Sequence, residues 1–382
     1  MVTNLKCRAC KGQLFEQPLL VYKNSPISAQ NFHNDPDQKN NNISLDIYQC
    51  TKCNLVQHIL PPVSYYKEVV RAVSVSKEME EFRIQQFKEW VELNKLINKK
   101  YIEIGCGGGD YLEIMRKIGI KEVFGLEYSD KNLASCKAKN LDVSKGYLEN
   151  NLKIQAQHQH SYDAFGIFSF MEHWPNPCEA LGILWDLLAE EAYGVIEVPN
   201  FEMIQKKGLY TEFITDHIFY FDKNSISHIL ESNGFEITSI KTIWHDYILS
   251  VEVKKRTPLP VSNFKDKFNL LNNELTNYIK KFDKKDIVIW GAGHQSLAII
   301  SLSGIASKIS YIVDSASFKQ NKYTPGTNIN IQSPEYLEAK KPDALIIIAA
   351  GYSDEVKNII SSKYDFIKNI AIVREDHLEI VE

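Results

Sequence analysis

The stretch YIEIGCGGGD, residues 101–110, decides the fold of the central part of this chain. Its first half is a short apolar strand, and its second half is a turn with glycines at 105, 107 and 109. Glycine lets the backbone turn sharply and pass close to a ligand. The helix that follows such a turn directs its free N–H groups towards that ligand. The stretch therefore predicts a Rossmann-like βα unit with a ligand at the glycine turn.

The residues around the turn indicate which ligand to expect, because a glycine turn alone serves several cofactors. Glu103 lies two residues before the first glycine, where its carboxylate would repel a pyrophosphate but would suit the sulfonium and ammonium groups of S-adenosylmethionine. Glu127 ends the next strand, at about the 20-residue spacing of an acid that binds ribose hydroxyls. We therefore expect S-adenosylmethionine, with a dinucleotide or an empty, degenerate site as the alternatives.

The candidate cofactor contacts lie on the glycine turn, at the end of the second strand and in the region YDAFGIFSF, whose loop faces the same crevice. They are Glu103, Gly105, Gly107, Gly109, Glu127, Tyr128, Phe168 and Ser169. Glu172 and His173 follow in the same loop. We expect this pair to shape the pocket wall, with a part in catalysis as the alternative.

Two C-x-x-C pairs near the start of the chain predict a metal site: Cys7 with Cys10, and Cys50 with Cys53. Four thiolates can take the corners of a tetrahedron, which zinc accepts without redox chemistry. Because four thiolates fill the coordination shell, we expect a structural Zn²⁺. Unpaired thiols are one alternative. A redox pair is the other, although neither pair opens a helix after a strand, as that chemistry prefers.

Strands and helices alternate through the rest of the chain, and after residue 285 the alternation starts again with DIVIWGAG, SKISYIVD and DALIIIAAG. Such alternation predicts parallel sheets with helices on both faces. The run KKRTPLP at 254–260 has the composition of a linker. We expect an α/β protein in three parts: a small zinc-binding module at 1–75, a Rossmann-like domain at 76–255 and a second Rossmann-like domain at 256–382.

The bulk properties favour a protein that acts on a small molecule. The net charge of −4 provides no field to attract nucleic acid or a membrane surface. The sequence has no apolar run of about 18 residues, as a membrane-spanning helix requires. Its N-terminus lacks the basic and then apolar stretches of a signal peptide. We therefore expect a cytoplasmic protein without a nucleic-acid or membrane partner.

The order of these parts resembles the sugar C-methyltransferases, which methylate a carbon beside the ketone of a nucleotide-activated deoxysugar. The resemblance covers nearly the whole chain and implies a four-cysteine zinc module, a class I methyltransferase domain that uses S-adenosylmethionine, and a C-terminal Rossmann-like domain. It rests on CRAC (7–10), YQCTKCNLVQ (48–57), GVIEVPN (194–200), TDHIFYF (215–221), WGAGHQS (290–296) and VDSASFKQNKYTPGTNINIQSPEYL (313–337).

The resemblance also implies a general base. In the family an acid–histidine pair before an aromatic run supplies it, and this pair corresponds to Asp216 and His217. Alkylation of carbon needs a base, because a proton beside the ketone has to be removed to form an enolate. Histidine has a pKa of about 6.5, and a neighbouring carboxylate can orient it and raise its basicity. Adjacent side chains usually point apart, so the two residues can also act separately. The alternative is that His217 is a packed histidine beside the aromatic run.

The chain departs from the family at positions that would touch the sugar. The family's tyrosine two residues before the acid is Ile214 here, and its H-G-G-S segment is replaced by HDYI at 245–248. A further family tyrosine has Tyr65 and Tyr66 as candidates. O- or N-methylation of another small molecule is therefore the first alternative function. The second is a non-catalytic or dinucleotide-binding protein built on GAGHQS at 291–296, a turn that can also cradle an acceptor's phosphates.

Overall fold

A computed structural model describes residues 5–30, 32, 42–68, 76–152, 158–282 and 286–381. Contacts within the chain divide it into two compact units, residues 1–257 and 258–382. The predicted border at residue 75 lies outside the described residues. Among the described residues, no helix combines the length and the apolar composition that crossing a membrane requires.

The strands supply three sheets. In chain order they are β1 Leu20–Ser25, β2 Ile43–Gln49, β3 Val56–His58, β4 Lys100–Ile104, β5 Glu122–Glu127, β6 Asp142–Lys145, β7 Tyr162–Phe168, β8 Leu188–Pro199, β9 Phe219–Tyr220, β10 Phe235–Ile243, β11 Ile248–Lys255, β12 Ile287–Trp290, β13 Tyr311–Val313, β14 Lys322–Tyr323, β15 Asn330–Gln332, β16 Ala344–Ile347, β17 Ile370–Val373 and β18 Leu378–Val381.

Some of the helices begin at residues whose side chains cap them. Ser76 accepts a hydrogen bond from the N–H of Met79 at the start of α1, and Asp222 forms a capping box with Ser225 at the start of α6. The helices are α1 Lys77–Leu93, α2 Asp110–Lys117, α3 Asp130–Ala138, α4 Pro177–Leu187, α5 Phe201–Lys207, α6 Lys223–Ser232, α7 Ser262–Lys280, α8 His294–Leu302, α9 Tyr336–Lys340 and α10 Ser353–Lys363.

The central sheet of the first unit has the order β10-β11-β8-β7-β4-β5-β6. Strands β4 to β8 pair in parallel, and β11 runs antiparallel between β8 and β10. The chain moves outward from β4 in both directions, first to β5 and later to β7. Ligands of open α/β sheets bind at such a reversal, outside the carboxyl ends of the strands. The predicted Rossmann-like fold of this region is confirmed.

A second, antiparallel sheet carries the cysteine module, with the order β1-β2-β3-β9. Its last strand comes from a distant part of the chain, because Val56 pairs with Tyr220 and Gln57 with Phe219. The buried cysteines 7, 50 and 53 also belong to the same apolar cluster as the strand residues Ile102 and Ile104. The cysteine module and the central sheet therefore share one core.

The second unit contains a sheet of its own, in the order β14-β15-β13-β12-β16-β17-β18. Its inner strands are parallel and both edge strands are antiparallel. β12 leads into Gly291, which has a φ of +112°. This position requires glycine, because a Cβ there would lie 2.3 Å from the carbonyl oxygen of Ile348. The prediction of a second Rossmann-like sheet is confirmed.

Candidate active site

The glycine turn after β4 is closely packed at its first and last glycines and open at the middle one. Gly105, Gly107 and Gly109 have φ values of +72°, +54° and +82°, a conformation that favours glycine. A Cβ on Gly105 would lie 2.5 Å from the ring of Phe170, and one on Gly109 would lie 2.4 Å from Leu141. A Cβ on Gly107 would meet no atom within 4 Å. The turn therefore has room for a ligand at Gly107.

Glu127 lies at the end of β5 and is bound to this turn. Its Oε2 accepts a 2.8 Å hydrogen bond from the N–H of Gly107, and its Oε1 accepts from the N–H groups of Tyr128 and Ser129, at 3.0 and 2.8 Å. A carboxylate oxygen can accept two hydrogen bonds. Oε2 therefore keeps one position for a ribose hydroxyl, and the structure brings together the two motifs that the sequence placed at one ligand.

Glu103 lies within β4, and only 1% of its surface is exposed. It pairs with Gly125 of β5 on one side and with Gly166 of β7 on the other. A Cβ on Gly125 would lie 2.5 Å from the sulfur of Cys106, and one on Gly166 would lie 2.1 Å from the hydroxyl oxygen of Tyr101, so neighbouring side chains fill the space over both glycines. A buried carboxylate at this position suits a cationic ligand, as the sequence predicts, and its role in binding stays a prediction.

Phe168 and Ser169, the last two predicted contacts, face different surroundings. The Phe168 ring is buried, with its centroid 5.2 Å from that of Phe87 and 5.0 Å from that of Tyr111. Ser169 is exposed with a φ of +50°, and its N–H donates to the carbonyl of Glu197 at 2.8 Å. Any contact of Phe168 with a cofactor therefore has to come from its main chain, since its ring belongs to the core.

Two histidines and a glutamate form a cluster in the same unit. The ring centroids of His173 and His217 are 4.9 Å apart, and side-chain atoms of Glu172, His173 and His217 lie within 4.8 Å of one another. Nδ1 of His173 is 2.7 Å from the carbonyl oxygen of Asp216, so this nitrogen carries the proton. His173 is buried, whereas His217 is partly exposed and is the more accessible of the two residues.

Burial controls the protonation of this cluster. It raises the pKa of Glu172 to about 8 and lowers the pKa of His173 to about 4. It also lowers the pKa of His217 well below the ordinary 6.5, and proximity to His173 and His58 lowers it further. Near neutral pH the imidazole of His217 is therefore uncharged and can accept a proton. Glu172 and His173, expected mainly as pocket wall, lie directly beside it.

Asp216 does not orient the His217 ring through its carboxylate. Its Oδ1 accepts from the hydroxyl of Tyr65 at 2.7 Å, and its Oδ2 accepts from the N–H of Ala29 at 2.8 Å. In the part of the chain that the structure describes, no hydrogen bond joins this carboxylate to His217. Asp216 lies in a turn, and its carboxylate is directed to residues 29 and 65, which explains the difference from the expected pair. Tyr65, one of the two candidate tyrosines, reaches the acid instead.

The four paired cysteines come together as the sequence predicts. Their sulfur atoms all lie within 4.8 Å of one another, with 3.7 Å between Cys7 and Cys53 and 3.4 Å between Cys10 and Cys50. Gln57 donates to the sulfur of Cys7 at 3.1 Å, as the partners of metal-binding thiolates do. This set of donors fits a four-thiolate zinc site, and zinc itself stays a prediction.

Comparisons with known proteins cover both units. Residues 250–369 match the family described as "C-methyltransferase C-terminal domain", and residues 79–240 match the family described as "Methyltransferase domain". The C-methyltransferase NovU of Streptomyces niveus is 22% identical over 401 aligned residues, which cover 95% of this chain and 93% of that protein. The chain belongs to the C-methyltransferases. It is an enzyme that depends on S-adenosylmethionine.

Further relatives of this C-methyltransferase match it over shorter lengths. The ubiquinone biosynthesis O-methyltransferase of Shewanella pealeana is 30% identical over 101 residues, which cover 26% of this chain and 42% of that protein. Among solved structures, an S-adenosylmethionine-dependent methyltransferase from Mesorhizobium loti has 14% sequence identity and a TM-score of 0.36, and it covers 45% of this chain and 99% of that one.

In this C-methyltransferase the structure also brings together a group of residues beside Tyr128 that the sequence patterns do not indicate. The ammonium group of Lys67 lies 5.2 Å from the ring centroid of Tyr128, 5.7 Å from that of Tyr66 and 5.6 Å from that of Tyr147. It also forms an ion pair of 2.6 Å with Glu149. These residues come from three separate segments, so no local pattern brings them together. In the sequence, only the two adjacent tyrosines at 65 and 66 pointed to this group.

The glycine turn of the second unit repeats one feature of the first. Asp314 follows β13, and its Oδ2 accepts a 2.7 Å hydrogen bond from the N–H of Ala292 in the turn, as Glu127 does from Gly107. Here, however, Lys319 lies 2.9 Å from the same oxygen. Although burial opposes it, the hydrogen bond from Lys319 lowers the pKa of Asp314. The acid of this second turn is therefore already paired with a cation.

Proposed function

We propose that this C-methyltransferase methylates the carbon beside the ketone of a nucleotide-activated deoxysugar or a similar phosphate-bearing ketone. The observation that carries the proposal is His217, a partly exposed residue whose imidazole is kept neutral by its buried surroundings beside His173. Methylation of carbon requires such a proton acceptor, whereas an amine with a free lone pair does not. The match to NovU over nearly the full length of both chains supports the choice of carbon.

His217 would start the reaction by accepting the proton next to the ketone, so that the electrons of the C–H bond form an enolate. The bound donor supplies a methyl group on a sulfonium, which the enolate carbon takes up while the carbon–sulfur bond leaves its electron pair on sulfur. The proton removed from the substrate then resides on His217. The neutral ring of His173 and the carboxyl group of Glu172 lie close enough to stabilise this charge.

The glycine turn would hold the donor in place. The open space at Gly107 would receive its amino-acid portion, and Oε2 of Glu127 would accept a hydrogen bond from its ribose. Glu103, buried in β4, would favour the positive charges of the donor. Transfer of a methyl group is an in-line displacement, so the main task of these residues is to position the two reacting groups.

Two further parts of the proposal concern the cysteine module and the glycine turn of the second unit. The four cysteines would hold a structural Zn²⁺, and a reducing cytoplasm would keep their thiols available to it. The turn that begins at Gly291 would bind phosphate groups, because the start of α8 presents N–H groups there.

The test uses nucleotide-activated keto sugars in heavy water without the methyl donor. The enzyme should exchange the hydrogen beside the ketone for deuterium, which NMR detects, and should methylate the same carbon once S-adenosylmethionine is added. A matched sugar with a hydroxyl in place of the ketone should show neither reaction. Methylation of an oxygen or nitrogen atom without any hydrogen exchange would contradict the proposal and favour the first alternative.

A further inference from the structure

The segment that presents His217 is held by a histidine from the cysteine module. Nε2 of His58 lies 3.1 Å from the carbonyl oxygen of Thr215, and the main-chain N–H of His58 donates to the carbonyl of Ile218 at 3.2 Å. The N–H of Leu60 donates to Nδ1 of His58 at 3.2 Å. Because Nδ1 accepts, Nε2 carries the proton and donates it to Thr215. One residue thus binds the chain on both sides of His217.

His58 has no contact with solvent and remains uncharged. Burial lowers its pKa to about 4, against the opposing effect of its hydrogen bond to the Thr215 carbonyl. Nearby Arg8 lowers the pKa further, and Asp216 raises it. The side chain therefore keeps one donor and one acceptor over the pH range in which an enzyme works, so its two hydrogen bonds persist.

A continuous set of contacts connects His58 to the cysteines. His58 ends β3, and its neighbour Gln57 pairs with Phe219 of β9, two residues after His217. The side chain of Gln57 donates to the sulfur of Cys7 at 3.1 Å and accepts from the N–H of Arg8 at 3.0 Å. The cysteine cluster and the His217 segment are therefore joined through one short strand.

We propose that His58 is a positioning residue for the proposed base: its Nε2–H group fixes the backbone at Thr215 and thereby sets the place of the His217 imidazole. The inference rests on the proposed function of His217. It assigns the cysteine module a part in methyl transfer, through the backbone of the 215–218 segment, that a purely stabilising module would not have. A displacement of about 1 Å of a reacting group can cost about 10²-fold in rate.

Two amide substitutions of nearly equal polarity test the proposal. In His58→Gln the amide nitrogen takes the place of Nε2 and can still donate to Thr215, whereas the shorter side chain of His58→Asn reaches only the place of Nδ1. We expect His58→Asn to lower kcat by about 10²-fold and His58→Gln to recover most of that loss. KM and the affinity for S-adenosylhomocysteine, measured by calorimetry, should stay at the wild-type values in both variants.

A readout that needs no acceptor accompanies the kinetics. Diethyl pyrocarbonate modifies neutral imidazoles, and peptide mass spectrometry gives its rate at His217. His58→Asn should change this rate and His58→Gln should restore it. His158 provides the control, since its Nδ1 is hydrogen-bonded to the hydroxyl of Tyr162 at 2.6 Å. His158→Asn should change neither kcat nor the rate at which His217 is modified.

The outcomes separate the two proposals. If the wild-type enzyme methylates no keto sugar but His58→Asn alters the modification of His217, the proposed function fails and the positioning role stands. If the wild-type enzyme is active and His58→Asn matches it in both kcat and modification rate, the positioning role is wrong. Equal losses in His58→Asn and His58→Gln would also overturn it, because the donor to Thr215 would then be irrelevant.

Discussion

At the scale of single residues, His217 is the group on which a carbon acceptor depends. General-base catalysis typically contributes about 10²–10⁴-fold to a rate. His217→Ala should therefore slow methylation on that scale, while calorimetry with S-adenosylhomocysteine gives the wild-type affinity, because the predicted donor contacts lie on the glycine turn and on Glu127. Asp216→Asn should reduce the rate less, since the carboxylate of Asp216 accepts hydrogen bonds from Tyr65 and Ala29 and not from the proposed base.

The pH profile provides the control for this assignment. Only the neutral imidazole accepts a proton, and burial lowers the pKa of His217. The rate should fall on acidification with a midpoint below the ordinary histidine value of 6.5. A His217→Ala variant that methylates the true acceptor at the wild-type rate would show that the assignment is wrong, and an oxygen or nitrogen acceptor would then explain the activity better.

Glu127 governs donor binding in this scheme, because it connects β5 to the turn. Glu127→Ala should weaken the binding of S-adenosylhomocysteine by about 1.5–3 kcal/mol, the usual scale for hydrogen bonds to a charged group. Glu122→Ala, at the exposed start of the same strand, is the matched control and should bind normally. Unchanged calorimetric affinity in a folded Glu127→Ala protein would remove Glu127 from the donor site.

Glu172 should make the stability of the protein depend on pH. Burial raises its pKa from 4.5 to about 8, so the folded state holds a proton that the unfolded state releases. This contribution to stability is complete below pH 4.5 and is lost as the pH rises to about 8. Relative to Glu172→Gln, the wild-type protein should lose up to about 1.4 kcal/mol per pH unit in this range. Urea unfolding at several pH values measures the difference, and parallel curves would contradict it.

At the scale of secondary-structure elements, the pairing of β3 with β9 makes the cysteine module part of the candidate site. We expect one zinc ion per chain, held by Cys7, Cys10, Cys50 and Cys53. Because a structural zinc contributes directly to folding free energy, Cys50→Ser should lower the melting temperature. It should also speed hydrogen exchange in β9 as well as in β3. Elemental analysis and exchange mass spectrometry measure both effects.

The matched control for the zinc prediction is Cys178→Ser. Cys178 is half-buried at the start of α4, and its thiol donates to the carbonyl of Ala9 without belonging to the cluster. This variant should keep its zinc. Purified wild-type protein without zinc, with all four thiols open to titration, would contradict the assignment of the metal.

The same elements show which features a sequence can predict. The glycine turn and Glu127 were predictable because both depend on local chain geometry: a strand, a turn and the spacing to the end of the next strand. β9 was not predictable, since this two-residue strand pairs with a partner far away in the sequence and has no pattern of its own. The buried ring of Phe168 was predictable, because an inner strand of a parallel sheet covered by helices buries its side chains on both faces.

At the scale of the whole molecule, the division after residue 257 separates two bodies that each contain a complete sheet. Each unit contains buried apolar clusters of its own. Domains with their own cores can fold alone. The fragment 1–257 should therefore fold by itself, keep its zinc and bind S-adenosylhomocysteine with the affinity of the full chain.

The same fragment should bind a nucleoside diphosphate more weakly than the full chain does, because the proposed phosphate-binding turn at Gly291 is absent from it. Thermal unfolding and calorimetry on the fragment and the full chain measure these properties together. A fragment that aggregates or fails to bind S-adenosylhomocysteine would show that the first unit needs the second to fold. A fragment that binds the nucleoside diphosphate as tightly as the full chain would show that the turn at Gly291 takes no part in phosphate binding, which would then have to occur within residues 1–257.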